Sequence, residues 1–374
     1  MLYYLLEYIN VKFNPPGFDI FRFLTFRSAL AAITALFLSL YIGPKIIRYL
    51  QSKQIGEAKK VDGPKNHWSK AGTPTMGGLI ILFSVVVPVL LWGDIVSIYI
   101  ILILTGTILL GAVGFLDDYL KVVKKFPNGL IARYKLLGQV IVGTIVGSLI
   151  YFSPSLFSHN FEEISTLSTV PFFKNVNLDF SYLYIPMVIF IITATSNAVN
   201  LTDGLDGLSI GVTTIVMLTL AVLAYMSGNA IYAKYLNIIY LPGTGELTVF
   251  IAALVGAGLG FLWFNFYPAQ IFMGDTGSLA LGGAFGILAV LIKKELLIPI
   301  LGGVFFMETV SVIIQRLYFK YTKKRFGEGR RVFKMAPIHH HFEMVGWPEP
   351  KIVIRFYIIA IILAIISLAS FKLR

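Results

Sequence analysis

About ten long, largely apolar runs divide this chain, near residues 23–43, 76–92, 95–116, 136–153, 183–199, 208–227, 247–264, 278–292, 296–318 and 352–371. A helix of roughly twenty apolar residues covers the hydrocarbon core of a bilayer, and in lipid the backbone polar groups must be satisfied within the segment. The runs therefore predict an all-α polytopic integral membrane protein with about ten transmembrane helices. Composition agrees: 57% of the 374 residues are hydrophobic, 13% are charged, and the mean hydropathy is +0.80, outside the range of ordinary soluble domains. The connections are too short for a separate soluble unit, so one domain over 1–374 is expected. Glu7, Asp19 and the Pro15–Pro16 pair interrupt the start, which reads as an amphipathic lead-in to the first span and not as a cleavable signal peptide. Cysteine is absent, so thiol chemistry drops out.

A net charge of +12 would suggest nucleic acid in a soluble protein. In a membrane chain the positive-inside rule, anionic lipid and substrate phosphates explain it first, and no nucleic-acid partner is expected. Seven Lys and Arg fall between 45 and 74, five between 117 and 135, and nine between 320 and 355. With ten spans these segments share one side, which the rule names cytoplasmic, and both termini then face out. Residues 154–182 form the longest external connection, and its stretch from Val170 to Phe180 reads as a short hairpin.

The same topology gathers the polar clusters on the cytoplasmic side. Helix caps alone would decorate both faces about equally. Asn197, Asn200, Asp203 and Asp206 recur every third residue through Asn197–Gly207, a polar edge at a helix end, with Gly204 and Gly207 allowing close backbone approach. The plainer account is a turn with Asx caps. Asp117 and Asp118 close an apolar run, where two adjacent carboxylates oppose the helix dipole and repel each other; they ask for a cation or a proton. Phe272–Ser278 opens another span with Asn265 just upstream. Asp275 there can cap a helix, or can bring Mg²⁺ to a phosphate at the helix N-terminus.

His339, His340 and His341 sit in the large basic connection with Arg330, Arg331 and Lys334. Consecutive histidines without cysteine do not suit tetrahedral zinc, so phosphate contact or proton handling is the reading preferred over a membrane-hugging basic loop. Lys70 to Gly78, including Thr75, supplies a cation, hydroxyls and glycine backbone, a set suited to an anion. Walker, Rossmann and nucleophile-elbow motifs are absent. The combination favours Mg²⁺-dependent chemistry between an anionic soluble substrate and an anionic lipid. A transporter or lipid flippase would instead place ionisable residues and broken helices near the bilayer midplane.

At these residues the chain resembles the phospho-N-acetylmuramoyl-pentapeptide transferase family, a branch of the polyprenyl-phosphate N-acetylhexosamine-1-phosphate transferase superfamily. The resemblance runs from about residue 24 to the C-terminus and rests on T-P-T-M-G-G at 73–78, F-L-D-D-Y at 115–119, N-A-V-N-L-T-D-G-L-D-G at 197–207, F-N-F-Y-P-A-Q-I-F-M-G-D-T-G-S at 264–278 and the P-I-H-H-H-F-E run from Pro337. It implies a homodimer in the bacterial inner membrane that transfers phospho-MurNAc-pentapeptide from UDP-MurNAc-pentapeptide to undecaprenyl phosphate, giving lipid I and UMP. Carried onto this chain, Asp275 would ligate Mg²⁺, Asp117 and Asp118 would engage or deprotonate the lipid phosphate, and Lys121 with Lys135 or Arg133 would stabilise phosphates. Uridine would rest near Lys70, Gly204, Leu205, Asp206 and Asn265 with Phe272 stacked on the base; Thr75, Asn200 and Asp203 would line the adjoining pocket; His339, His340 and His341 would lie near the phosphates. Within the superfamily the alternative is a UDP-GlcNAc:polyprenyl-phosphate GlcNAc-1-phosphate transferase, which the histidine triplet disfavours.

Overall fold

The apolar runs become helices because their backbones have no other partner in a hydrocarbon setting. The computed structural model describes residues 1–53, 72–126, 129–158, 161–173 and 176–370. In chain order its helices are α1 (Leu2–Phe13), α2 (Leu24–Ser52), α3 (Gly78–Trp92), α4 (Ile98–Asp118) and α5 (Ala132–Phe152). After a hairpin of β1 (Leu167–Thr169) and β2 (Asn177–Asp179) come α6 (Tyr184–Thr202), α7 (Leu208–Ser227), α8 (Ala230–Leu236), α9 (Leu247–Asn265) and α10 (Gly274–Leu291). The chain continues through α11 (Ile298–Leu301), α12 (Gly303–Phe326), α13 (Ile338–Val345) and α14 (Glu349–Ala369).

Among the described residues eight helices are long and apolar enough to cross a membrane: α2, α4 with its continuation to Val123, α5, α6, α7, α9, α10 and α14. The protein is thus an all-α polytopic membrane protein. Two of the expected spans take another form. The run read at 296–318 is no single rod: Glu295–Leu301 and Gly303–Phe326 pass the same test only as a pair, bent by 81°. Gly302 stands at the break, where glycine is a frequent cause of a kink. The run near 76–92 gives α3, which has 15 residues and so rises only about 22 Å.

Helix α10 is the axis of the bundle. It is buried along nearly its whole length and packs against α4 and α6, with α3 and α7 alongside, while α9 packs against α2 and α7. Small residues permit these approaches: a Cβ on Gly256 would sit 2.1 Å from the Ala32 carbonyl oxygen, so α2 and α9 meet backbone to backbone.

The two ends of α10 carry different chemistry. Its N-terminus holds Asp275. Beyond its C-terminus lies a buried cluster in which the Lys293 ammonium donates to the Ser165 carbonyl and, at 2.7 Å, to the Tyr184 hydroxyl, and the Glu295 carboxylate accepts from Ser168 Oγ at 2.7 Å and Tyr184 OH at 3.3 Å. Burial pulls the Lys293 ammonium below the usual lysine range, with Glu295 opposing the shift. These contacts fasten the hairpin to the turn between α10 and α11. The hairpin is antiparallel, pairing Leu167 with Asp179 and Thr169 with Asn177, so its first strand begins upstream of the expected Val170.

Candidate active site

Four helix ends meet at the N-terminus of α10. The C-terminus of α4 delivers Asp117 and Asp118, and the helix then widens into a π-helical turn over Tyr119–Val123, the kind of irregularity that recurs at functional sites. Gly114 lets α4 come this close, because a Cβ there would lie 2.1 Å from the Asp275 carbonyl oxygen. On the other side Gly77 and Gly78 donate their N–H groups to the carbonyls of Phe272 and Met273 at 2.9 and 2.8 Å, and Phe272 N–H returns a bond to the Pro74 carbonyl at 2.8 Å. Thr75 is drawn in by this ladder. Its hydroxyl lies 3.0 Å from where a Cβ on Gly274 would stand.

The result brings one carboxylate oxygen from each of Asp117, Asp118 and Asp275 within 4.8 Å of the others. Like charges this close must be offset. Asp117 Oδ2 pairs with the ammoniums of Lys121 and Lys135, the latter at 2.7 Å, and its Oδ1 accepts the Leu130 N–H at 2.6 Å. Asp275 Oδ2 pairs with Lys135 and, at 3.3 Å, with Lys121, while its Oδ1 accepts from Asn200 Nδ2 at 2.9 Å. Asn200 also donates to Ser278 Oγ at 2.8 Å, which fixes its amide. Of the two cations left open by sequence, Lys135 enters the cluster; Arg133 is exposed and lies over the Tyr134 ring at 5.2 Å.

Asp118 is held differently. Its Oδ1 accepts the Asp275 N–H at 3.1 Å, and its Oδ2 accepts the Thr276 N–H at 2.9 Å and the Thr276 hydroxyl at 2.6 Å. It caps α10 from a neighbouring helix, satisfying N–H groups the helix leaves open and placing negative charge at the positive end of its dipole. Asp117 and Asp275 are the carboxylates that face the lysines.

A hard oxygen-only donor set of this kind suits Mg²⁺. Asp275, with Asp117 beside it, would supply the ligands, because both of its oxygens are held by side-chain donors that a cation and an arriving phosphate can displace. A cavity of about 580 Å³ lies to one side, lined by Arg48, Gln51, Thr73, Pro74, Ala269 and Gln270. None of the three aspartates lines it.

The residues expected around a nucleotide form one supported loop. Leu205, Asp206 and Asn265 are buried, and Asp203, Gly204 and Phe272 half-buried. The Asp206 carboxylate accepts the Ala269 N–H at 3.0 Å; its own N–H donates to Glu349 Oε1 at 2.6 Å. Asn265 bridges the loop to the α9–α10 connection, accepting from Gly207 N–H at 3.1 Å and donating to the Ile271 carbonyl at 2.8 Å. Tyr357 OH donates to the Gly207 carbonyl at 2.6 Å. Asp206 and Asn265 therefore shape the loop, while Gly204 lies at its surface. Lys70 lies outside the described residues.

The histidines occupy three different settings on α13. His339 is fully buried, with Nδ1 3.1 Å from the equally buried Glu308 Oε2, and its ring rests on the loop: a Cβ on Gly204 would lie 2.2 Å from His339 Nε2. His340 Nδ1 lies 2.6 Å from Glu343 Oε2, and His341 Nδ1 accepts the Lys334 N–H at 3.1 Å. Sequence reading missed Glu308, Thr276, Glu349 and Tyr357. Thr276 stood inside the Phe272–Ser278 stretch but behind Asp275, Glu349 and Tyr357 lay outside every polar cluster, and a single Glu within the otherwise apolar run 296–318 was the signal available for Glu308.

The sequence model of glycosyl transferase family 4 matches residues 100–293, and signature 1 of phospho-N-acetylmuramoyl-pentapeptide-transferase matches residues 70–82. The chain is 53% identical to the phospho-N-acetylmuramoyl-pentapeptide-transferases of Chloroherpeton thalassium and Pelodictyon phaeoclathratiforme and 54% identical to that of Chlorobium luteolum, in each case over 100% of both chains.

Proposed function

The chain belongs to the phospho-N-acetylmuramoyl-pentapeptide-transferase family and transfers phospho-MurNAc-pentapeptide to a lipid carrier; we propose that it takes this group from UDP-MurNAc-pentapeptide, delivers it to undecaprenyl phosphate, and releases UMP with lipid I in a Mg²⁺-dependent reaction. The supporting observation is the meeting of Asp117, Asp275, Lys121 and Lys135 at one end of the bundle. The nucleophile is an anionic phosphate and the electrophile a pyrophosphate, so the site must screen charge, align the two and stabilise the departing phosphate.

Mg²⁺ held by Asp275 and Asp117 would supply charge neutralisation at the pyrophosphate oxygens. The chain's own groups do the rest. Lys121 and Lys135 exchange carboxylate partners for substrate phosphates, so the arriving anions meet cations that the site already holds in place. Asp117 orients the acceptor phosphate or takes its proton. Asp118 acts through Asp275 by fixing the helix end that presents it. The 203–207 loop, with Phe272 and Asn265, binds the uridine; Thr75, Asn200 and Asp203 line the adjoining pocket; His340 and His341 contact the phosphates, while the buried His339 supports the 203–207 loop from behind. The active face is cytoplasmic, both termini are external, and the working form is a homodimer in the bacterial inner membrane.

The test incubates purified protein with undecaprenyl phosphate and either UDP-MurNAc-pentapeptide or UDP-GlcNAc, following UMP release with Mg²⁺ and with EDTA. UMP from the muramoyl donor alone, lost in EDTA and restored by Mg²⁺, is the expected result. Release from UDP-GlcNAc alone would reassign the donor, and release unaffected by EDTA would remove the metal from the reading.

A further inference from the structure

We propose that Glu343 is a positioning residue that holds His340 with its proton on Nδ1, while the Lys334 backbone amide holds His341 in the opposite tautomer, so that two consecutive histidines enter the reaction with different protonation patterns. The substrate side of this assignment rests on the transferase reading of the same site.

The argument starts from what each partner is able to do. A carboxylate only accepts, so the proton in the 2.6 Å contact between His340 Nδ1 and Glu343 Oε2 belongs to the ring nitrogen. In the neutral ring Nε2 then carries the lone pair. The two residues are three apart on α13 and share its face, and the Glu343 side chain is only 4% exposed, so the contact is shielded from water. A backbone amide only donates. The 3.1 Å bond from Lys334 N–H therefore puts the lone pair of His341 on Nδ1 and its proton on Nε2.

The surroundings make both settings rigid. Gln315 clamps the segment ahead of Lys334: its Oε1 accepts the N–H groups of Val332 and Phe333 at 3.0 and 2.9 Å, and its Nε2 donates to the Phe333 carbonyl at 3.0 Å. The Lys334 ammonium donates to the Met344 carbonyl at 3.1 Å, closing the segment onto the end of α13. The His341 ring meets Phe333 and Phe342 edge-on, each with centroids 5.7 Å away. His339, whose ring lies 4.2 Å from that of His340, is taken up by Glu308 and Gly204 and anchors the helix to the 203–207 loop. Three consecutive identical residues thus have three tasks.

The experiment labels the full chain with ¹⁵N-histidine and records long-range ¹H–¹⁵N correlations, which separate Nδ1–H from Nε2–H rings. The sequence holds five histidines, and His340→Gln and His341→Gln each delete one pattern to assign it. The expected spectrum has His340 protonated on Nδ1 and His341 on Nε2. Glu343→Ala should shift His340 alone and lower kcat at least about tenfold, the scale of one lost hydrogen bond to a charged group. Glu343→Gln, whose amide oxygen still accepts from Nδ1, should keep the tautomer and recover part of the rate. The reverse tautomer on either ring, or a His340 pattern unmoved in Glu343→Ala, would overturn the proposal. The spectra are taken without substrate, so they decide the tautomers whether or not the wild-type chain proves to release UMP.

Discussion

The Asp118 carboxylate takes both the backbone N–H and the hydroxyl of Thr276, at 2.9 and 2.6 Å, and so ties the end of α4 to the start of α10. This separates two neighbouring aspartates that look equivalent in sequence. Asp118→Asn removes charge from a helix N-terminus and loses at least one accepting oxygen, so it should cost about 1–2 kcal/mol of stability as well as activity. Thr276→Val should cost about 1 kcal/mol. Asp117→Asn gives up ion pairs but also relieves repulsion from Asp275, so its melting temperature in detergent should stay near wild type while UMP release is lost. Equal melting shifts for the two Asp→Asn variants would contradict the division.

The approach of α4 to α10 makes a second prediction. A methyl at Gly114 would lie 2.1 Å from a backbone oxygen of Asp275, which cannot step aside as a side-chain end can. Gly106, two turns earlier, would crowd the Cδ1 of Ile287 at 2.4 Å, the end of a flexible side chain, with its other neighbours at 3.5 Å or more. Gly114→Ala should therefore lower kcat by about a hundredfold or more, the scale of an ångström-level displacement at a reacting centre. Gly106→Ala should retain most of the activity. Both are read by initial rates of UMP release on protein shown to be folded.

Much of this was legible before any coordinates. Hydropathy reports burial in lipid directly, so the spans appeared, and one-sided carboxylates pointed to Asp117 and Asp275 because charge at a span end needs a partner. The bend at Gly302 was hidden, since apolar composition continues through it and hydropathy carries no angle. The capping role of Asp118 was hidden too: its partners lie more than 150 residues away and are met only through a helix crossing. Asp206 and Asn265 showed their polar character but not that their bonds turn inward to shape a loop. Glu308 and His339 form a buried pair from two elements, and no local pattern joins them.

Lys135 and Arg133 can be told apart by substitution. Lys135 touches both Asp117 and Asp275, whereas Arg133 is exposed beside Tyr134. Lys135→Met should lower kcat by about 10²–10³, as expected for losing one preorganised cation at a phosphate. Lys135→Arg should rescue only in part, because a guanidinium fork does not reproduce a point charge between two carboxylates. Arg133→Met should stay within about twofold of wild type. A deep loss in the Arg133 variant alone would transfer the role.

The 203–207 loop, proposed to bind the uridine, gives a binding prediction. Gly204 lies against His339, where a Cβ would stand 2.2 Å from the ring, and that ring is braced from behind by Glu308. Gly204→Ala should push the loop from its support and weaken UMP binding by about tenfold or more, seen by titration calorimetry, with less effect on kcat at saturating donor. Glu308→Gln keeps the shape but removes the charge beside His339, and should weaken binding in the same direction by a smaller factor. Unchanged UMP affinity in Gly204→Ala would detach the triplet from the nucleotide loop.

At the far end of α10, Lys293 and Glu295 are buried together and hold the hairpin through Ser165, Ser168 and Tyr184. Removing one member leaves the other charge buried with fewer partners, which costs roughly 3 kcal/mol or more; replacing both by apolar groups avoids that cost. Lys293→Met and Glu295→Met should each lower the melting temperature clearly, and the double variant should be more stable than either. If the turn between α10 and α11 is fixed mainly by this cluster, the single variants should also lower kcat, because the chain runs from that turn through α11 and the bend at Gly302 into α12, which carries Glu308 to His339. Loss of stability with full activity in the surviving folded protein would confine the cluster to holding the hairpin. Additive losses in the double variant would show that the two charges do not act as a pair.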